Sequence, residues 1–185
     1  ATIAEGEVLQ LTAAQDLKTS EGTYLQIVRG KTAALFSAAT EVGGVIADAD
    51  DNVVKALYDY GDALGVAFQI VDDLLDYQGQ SSATGKNVGD DFRERKLTLP
   101  VIKAIAKADA EEHAFWKRTI EKGQQEDGDL DASLALLNKH NALSDTRDEA
   151  IAWASKSTRA LSSLPDHPIK QMLIELADYV VERIN

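Results

Sequence analysis

Cysteine is absent from the 185-residue chain, which excludes disulfides and thiolate-held metals and leaves the compartment open. Positive charge is scarce: 19 lysines and arginines stand against 31 aspartates and glutamates, a formal net charge of −12. That balance argues against a nucleic-acid surface held by counterion release. No basic cluster of the kind that anchors to anionic lipid is present either. No apolar run approaches the roughly 18 to 20 residues that span a bilayer as a helix. No signal-peptide pattern opens the sequence, which begins at Ala1 already inside a helical pattern, as a processed chain or a fragment would. Strand alternation of useful length, repeats and low-complexity segments are missing too. What remains is an acidic chain of helical segments, long enough to bury one sizeable core.

In chain order, apolar spacing predicts a helix over 5–18, with Val8, Leu9, Leu11 and Ala14 as its stripe. An alanine-rich helix follows over 24–47, weakened at Gly43 and Gly44. Asp48, Asp50 and Asp51 announce the next, over 53–77. Residues 78–98 read as a polar connection, and a loop that long in a compact helical domain is more often functional than idle. Pro100 suits the first turn of a helix to 108, and further helices cover 110–122 and 130–140. Thr146 and Glu149 have capping-box spacing for a helix over 148–164, and Pro168 starts the last, through 183. The pattern predicts an all-α helical bundle in one domain, 1–185, with site-bearing helices over about 5–100 and scaffold beyond about 108. His113, His140 and His167 lack ligand spacing and read as surface or helix-end residues. Trp116 and Trp153 read as core or interface.

The chemistry concentrates in GVAFQIVDDLLDY, residues 65–77, where Asp72, Asp73 and Asp76 interrupt an apolar run that reads as a buried helix. Asp76 is four residues from Asp72 and three from Asp73, so it can share a face with either. Carboxylates moved from water into apolar surroundings cost several kcal/mol each unless compensated. A hard divalent cation is the obvious compensation, and magnesium suits one or two carboxylates joined by substrate phosphates. A solvated helix face, or acids answering a helix dipole, is the plainer alternative. One turn before the acids stand Phe68 and Gln69; Lys31 and Thr32 interrupt an earlier apolar tract, and Gln10 lies in the first stripe. Lys31 alone reads as a snorkelling surface lysine. With Lys86 and Lys96 it makes three cations able to converge on the cavity of the three acids, and phosphates bridged by magnesium would neutralise both sets.

The run FQIVDDLLD followed by GKNVGDDFRERKLTLP resembles the second aspartate-rich region of trans-type isoprenyl diphosphate synthases. GEVLQL and YLQIVRGKTAALF match that family in order and spacing, and the wording of GEVLQL and GKNVGDD is most similar to its long-chain octaprenyl and decaprenyl members. The resemblance implies an all-α bundle of the isoprenoid synthase type around a central cavity, a cytoplasmic homodimer, and magnesium as cofactor. It implies ionisation of an allylic diphosphate, addition of the cation to isopentenyl diphosphate, and loss of a proton. Asp72 would be the principal metal ligand, Asp76 would act directly or through water, and Asp73 and Asp91 would support through bound water. Lys31, Lys86 and Lys96 would grip the allylic diphosphate; Thr32 and Gln69 would lie beside the carbocation; Gln10 and Phe68 would bind substrate, Phe68 flanking isopentenyl diphosphate.

Two departures stand out. Arg95 occupies a position before Lys96 where the family pattern has glycine. The family's first aspartate-rich motif, expected before GEVLQL, is not in the sequence, so the resemblance covers only the C-terminal portion of a member, truncated at the N-terminus. It implies that this polypeptide alone is not a competent synthase. A short-chain farnesyl or geranylgeranyl synthase, a head-to-head synthase or cyclase, a non-catalytic subunit of a heteromeric synthase, and an acidic helical domain without a site are the rival readings.

Overall fold

The longest helix buries its C-terminal two thirds on nearly every side, as the apolar run there predicts. The structure is a computed structural model describing residues 2–78 and 88–184, and those residues form helices with no strand among them. In order these are α1 (Thr2–Ala13), α2 (Glu21–Val28), a π-helical turn (Arg29–Ala33), α3 (Ala34–Ile46) and α4 (Asp51–Gln78). Next come α5 (Asp90–Arg93), α6 (Leu99–Lys107), α7 (Ala110–Trp116) and a second π-helical turn (Lys117–Glu121). Then follow α8 (Asp129–Lys139), α9 (Ala142–Ala160), a 3₁₀ turn (Leu161–Ser163) and α10 (Pro168–Glu182). No helix among the described residues is long and apolar enough to cross a membrane.

α4 lies at the centre, flanked by α3 and α9. Tyr60, Leu64, Ile70, Val71 and Leu74 of α4 share a core with Tyr24 and Val28 of α2, Ala150 and Ala154 of α9, and Ala177 and Val180 of α10. Small residues set how close the first half comes. A Cβ on Gly65 would lie 2.6 Å from Ala33 Cα, and one on Gly61 would lie 2.5 Å from Phe36 O. Both obstacles are backbone, so Gly65→Ala must push the π-helical turn off α4. The expected cost is about 1–3 kcal/mol, the range for an overpacked core, read as a shift in the urea midpoint.

Several sequence boundaries are corrected. The helix expected over 24–47 is interrupted by the π-helical turn. α1 ends at Ala13, and its stripe faces outward: Val8 and Leu11 are 60% and 74% exposed. Gly6 is the residue α1 buries, because a Cβ there would stand 2.7 Å from Lys31 N. Backbone-to-backbone contact has displaced apolar side chains as the docking element. The connection over 78–98 contains the helical turn α5, while residues 79–87 lie outside the described residues. The capping box at Thr146 and Glu149 is not formed. α9 begins four residues earlier, at Ala142 behind Asn141, and Thr146 is an interior residue whose hydroxyl donates to Ala142 O at 2.7 Å. The box occurs instead at Asp109 and Glu112, opening α7.

A second core gathers Tyr77, Phe92, Val101, Ile105, Trp116, Ile120 and Leu137, so Trp116 is core as expected. His113 is exposed, while His140 and His167 cap α8 and α10 at their ends. On the flank of this core, Glu112 accepts from Lys139 Nζ at 2.6 Å, His140 Nε2 lies 2.8 Å away, and the Asp109 amide donates at 3.0 Å. The Lys139 hydrogen bond, then the Asp109 amide, hold the Glu112 carboxyl down from 4.5 to about 2. A depressed carboxyl contributes stability that is complete above its unfolded value and is lost as pH falls through the folded one. Thermal midpoints of the chain are therefore expected to drop between about pH 4.5 and 2, and Glu112→Gln is expected to flatten that limb.

Candidate functional site

Four parts of the fold enclose a cavity of about 260 Å³: the end of α1, α2 with its π-helical turn, the middle of α4, and the segment 91–98. The π-helical turn is what brings Lys31 and Thr32 onto it together, and one-turn π segments recur at functional sites. Gly6 and Gly30 seat this turn against α1, a Cβ on Gly30 falling 2.9 Å from Gly6 Cα. Lys31 Nζ donates to Gln10 Oε1 at 2.8 Å and lies 3.0 Å from Glu7 Oε1. Thr32 Oγ1 donates to Gln69 Oε1 at 2.9 Å.

Of the predicted residues, Gln10, Lys31, Thr32, Gln69, Asp72, Asp73, Asp91 and Lys96 line this one cavity. Phe68 and Asp76 do not. Phe68 packs instead on Phe36, with ring centroids 5.5 Å apart and the Arg183 guanidinium 5.7 Å from its own. Lys86 lies outside the described residues. A larger groove, about 950 Å³, runs beside Arg29, Asp62 and Lys156, but it holds none of the predicted residues.

The four predicted carboxylate ligands do not converge. No group of three or more His, Cys, Asp or Glu placed to hold a metal occurs among the described residues. The reason is the partner each acid has taken. Asp73 is 5% exposed and turned inward, where Tyr24 Oη donates to Oδ2 at 2.6 Å and Gln69 Nε2 to Oδ1 at 2.8 Å. Burial raises its carboxyl to about 7 against the lowering effect of those two hydrogen bonds. Asp76 Oδ2 accepts the Asp91 amide at 3.0 Å, and burial, then Asp91, raises its carboxyl to about 6. It thereby anchors α5 instead of facing the cavity. Asp91 pairs with Lys96 at 3.0 Å, and Lys96 also reaches Glu94 at 2.7 Å.

Asp72 is left. It is half-buried, lines the cavity, and makes no hydrogen bond or ion pair among the described residues. An unpaired carboxylate beside other acids fits a hard cation completed by phosphate oxygens and water better than a cage of protein ligands. Arg95 resolves differently from the glycine it replaces. Its φ is 59°, in the left-handed region where glycine is easiest, and its side chain crosses Gly123, where a Cβ would lie 2.5 Å from Arg95 Nη1. Sequence reasoning missed Tyr24. The available signal was a phenol on the apolar face of a helix, since a buried Tyr hydroxyl needs a partner.

The sequence matches the family described as Polyprenyl synthetase over residues 1–137. The octaprenyl diphosphate synthase of Haemophilus influenzae is 41% identical over 181 residues, 98% of this chain and 55% of that protein. A decaprenyl diphosphate synthase from Rhodobacter capsulatus, known from its crystal structure, superposes with a TM-score of 0.94 at 67% identity, covering 100% of this chain and 57% of that one. A polyprenyl synthase from Caulobacter crescentus, crystallised with calcium and isoprenyl diphosphate, gives a TM-score of 0.91 at 46% identity over 97% of this chain and 55% of that one. The chain thus spans a little over half the length of the curated relatives it matches. Its helical order, its cavity behind α4 and this run of sequence agree, and the chain belongs to the polyprenyl synthetase family, with that family's all-α isoprenoid synthase fold.

Proposed function

We propose that this chain carries the diphosphate-binding side of a long-chain polyprenyl diphosphate synthase, which joins an allylic diphosphate to isopentenyl diphosphate. The observation that carries the reading is Asp72, without a partner among the described residues, in a cavity that also holds Lys31 and Lys96. Magnesium, held through Asp72, would supply positive charge to the leaving diphosphate. Lys31 and Lys96, with Lys86 expected beside them, bind the diphosphate oxygens and stabilise the charge that builds there as the allylic carbon–oxygen bond breaks. Lys31 reaches from Gln10, and Lys96 exchanges Asp91 and Glu94 for the substrate. The Thr32 hydroxyl faces the allylic carbon, and the double bond of isopentenyl diphosphate captures the cation before a proton leaves.

The octaprenyl and decaprenyl names of its relatives support a long-chain product, and the calcium and isoprenyl diphosphate in the Caulobacter crescentus structure support a metal–diphosphate site. A homodimer in the cytoplasm belongs to the same reading. Calorimetry of inorganic pyrophosphate titrated into the chain tests it. Binding that appears with magnesium and disappears with EDTA is expected; heat that ignores the metal would sink the reading.

A further inference from the structure

Three hydrogen bonds run in series from the core to the cavity. Tyr24 Oη donates to Asp73 Oδ2 at 2.6 Å, Gln69 Nε2 donates to Asp73 Oδ1 at 2.8 Å, and Thr32 Oγ1 donates to Gln69 Oε1 at 2.9 Å. They link α2, α4 and the π-helical turn. Tyr24 and Asp73 are both 5% exposed, so neither has bulk water as a substitute partner. We propose that Tyr24 and Asp73 are positioning residues that fix the polarity of the Gln69 amide and, through it, of the Thr32 hydroxyl.

A glutamine amide can turn over with little change in shape, exchanging its oxygen for its nitrogen. Here, with Asp73 ionised, the turned form would set Gln69 Oε1 against Asp73 Oδ1, two acceptors at 2.8 Å with no proton between them. Asp73 cannot swing away to relieve this, because Tyr24 holds its other oxygen in a short, charge-assisted hydrogen bond. The amide oxygen must therefore face Thr32. The Thr32 proton is committed to that oxygen, and the hydroxyl presents only lone pairs to the cavity. Without the series, Thr32 could turn its proton toward the substrate and offer a partial positive charge where positive charge is to develop. Asp73 so acts through Gln69 on the Thr32 hydroxyl.

The catalytic consequence rests on the proposed prenyl transfer; the hydrogen-bond series does not, and the experiment separates them. In the ¹⁵N-labelled chain the Gln69 side-chain amide is identified by its loss in Gln69→Ala. It is expected to be shifted downfield and slow to exchange, and Tyr24→Phe and Asp73→Asn are each expected to move it toward the position of a free glutamine. Tyr24→Phe keeps the ring in the core, so it carries the test if Asp73→Asn fails to fold. In a synthase preparation containing the chain, Tyr24→Phe is expected to lower kcat on the order of 10-fold, as loss of an orienting partner does, with KM for isopentenyl diphosphate unchanged. Binding of magnesium pyrophosphate is expected to stay within about twofold of the wild type, because the Tyr24 hydroxyl is committed to Asp73. A Gln69 amide unmoved by Tyr24→Phe, or a rise in KM with kcat intact, overturns the proposal. Movement of the amide in a chain that binds no pyrophosphate would uphold the positioning series and overturn the prenyl-transfer reading alone.

Discussion

Asp72→Ala is expected to weaken magnesium-dependent binding of inorganic pyrophosphate by about 10²- to 10³-fold, the scale on which removal of one fixed charge-stabilising group acts at such sites. The sign should reverse without metal. Asp72 faces a cavity that already holds Asp91 and Glu94, and pyrophosphate brings further negative charge. Deleting one carboxylate then removes repulsion, so in EDTA the variant is expected to bind as weakly as the wild type or slightly better. Asp76→Ala provides the contrast. Asp76 accepts the Asp91 amide and is absent from the cavity wall, so its loss should act by loosening α5 and be largely independent of metal. Parallel titrations with and without magnesium check both variants. Equal responses from Asp72→Ala in the two buffers would remove the ground for a cation at this site.

The largest expected effect on stability is that of Trp116→Ala, about 3–5 kcal/mol as for other buried tryptophans truncated to alanine. Trp116 is fully buried and meets Phe92 and Phe115 edge-on, at 6.5 and 5.1 Å between centroids. Its Nε1–H has no hydrogen-bond partner among the described residues. A buried donor left unpaired is itself unfavourable by about 1–3 kcal/mol, so Trp116→Phe should give back part of what it loses in area and cost far less than the alanine variant. Denaturant midpoints of the two variants test that ordering. The damage should also reach the cavity. Phe92 lies between Asp91 and the Trp116 ring, so a void at 116 loosens the turn that carries Asp91 and places Lys96. Pyrophosphate binding is expected to weaken in Trp116→Ala although the substitution lies in the second core.

The helical bundle and most of the cavity were legible because apolar period and the spacing of polar residues along single helices fix them. Gln69 one turn before Asp73, and Lys31 beside Thr32, are facts of one helix each. What was not legible depends on which neighbour an acid finds. Asp72, Asp73 and Asp76 read as a single cluster, yet Tyr24, 49 positions away, claims Asp73, and the amide of Asp91, 15 positions away, claims Asp76. Local spacing carries no trace of either pairing. The stripe on α1 failed for a related reason. Gly6 and Gly30 let two backbones touch, and the face that buries is the one with the least side chain. At Thr146 the spacing of a capping box was present without a helix end to cap, because Ala142 and Ala150 continue the buried face through it.

The π-helical turn has one more consequence, visible in the numbering of the buried residues beside it. Tyr24 and Val28 are four apart, as are Ala33 and Ser37, but Val28 and Ala33 are five apart. The turn is in effect a one-residue insertion that keeps two successive helices in phase with α4. Deleting any one residue between 29 and 33 would heal the irregularity into an ordinary helix, yet it would rotate everything on one side of the cut by about 100°. The locally more regular chain would then present the wrong face of either α2 or α3 to the bundle, so this short stretch is intolerant of length change whatever residues fill it.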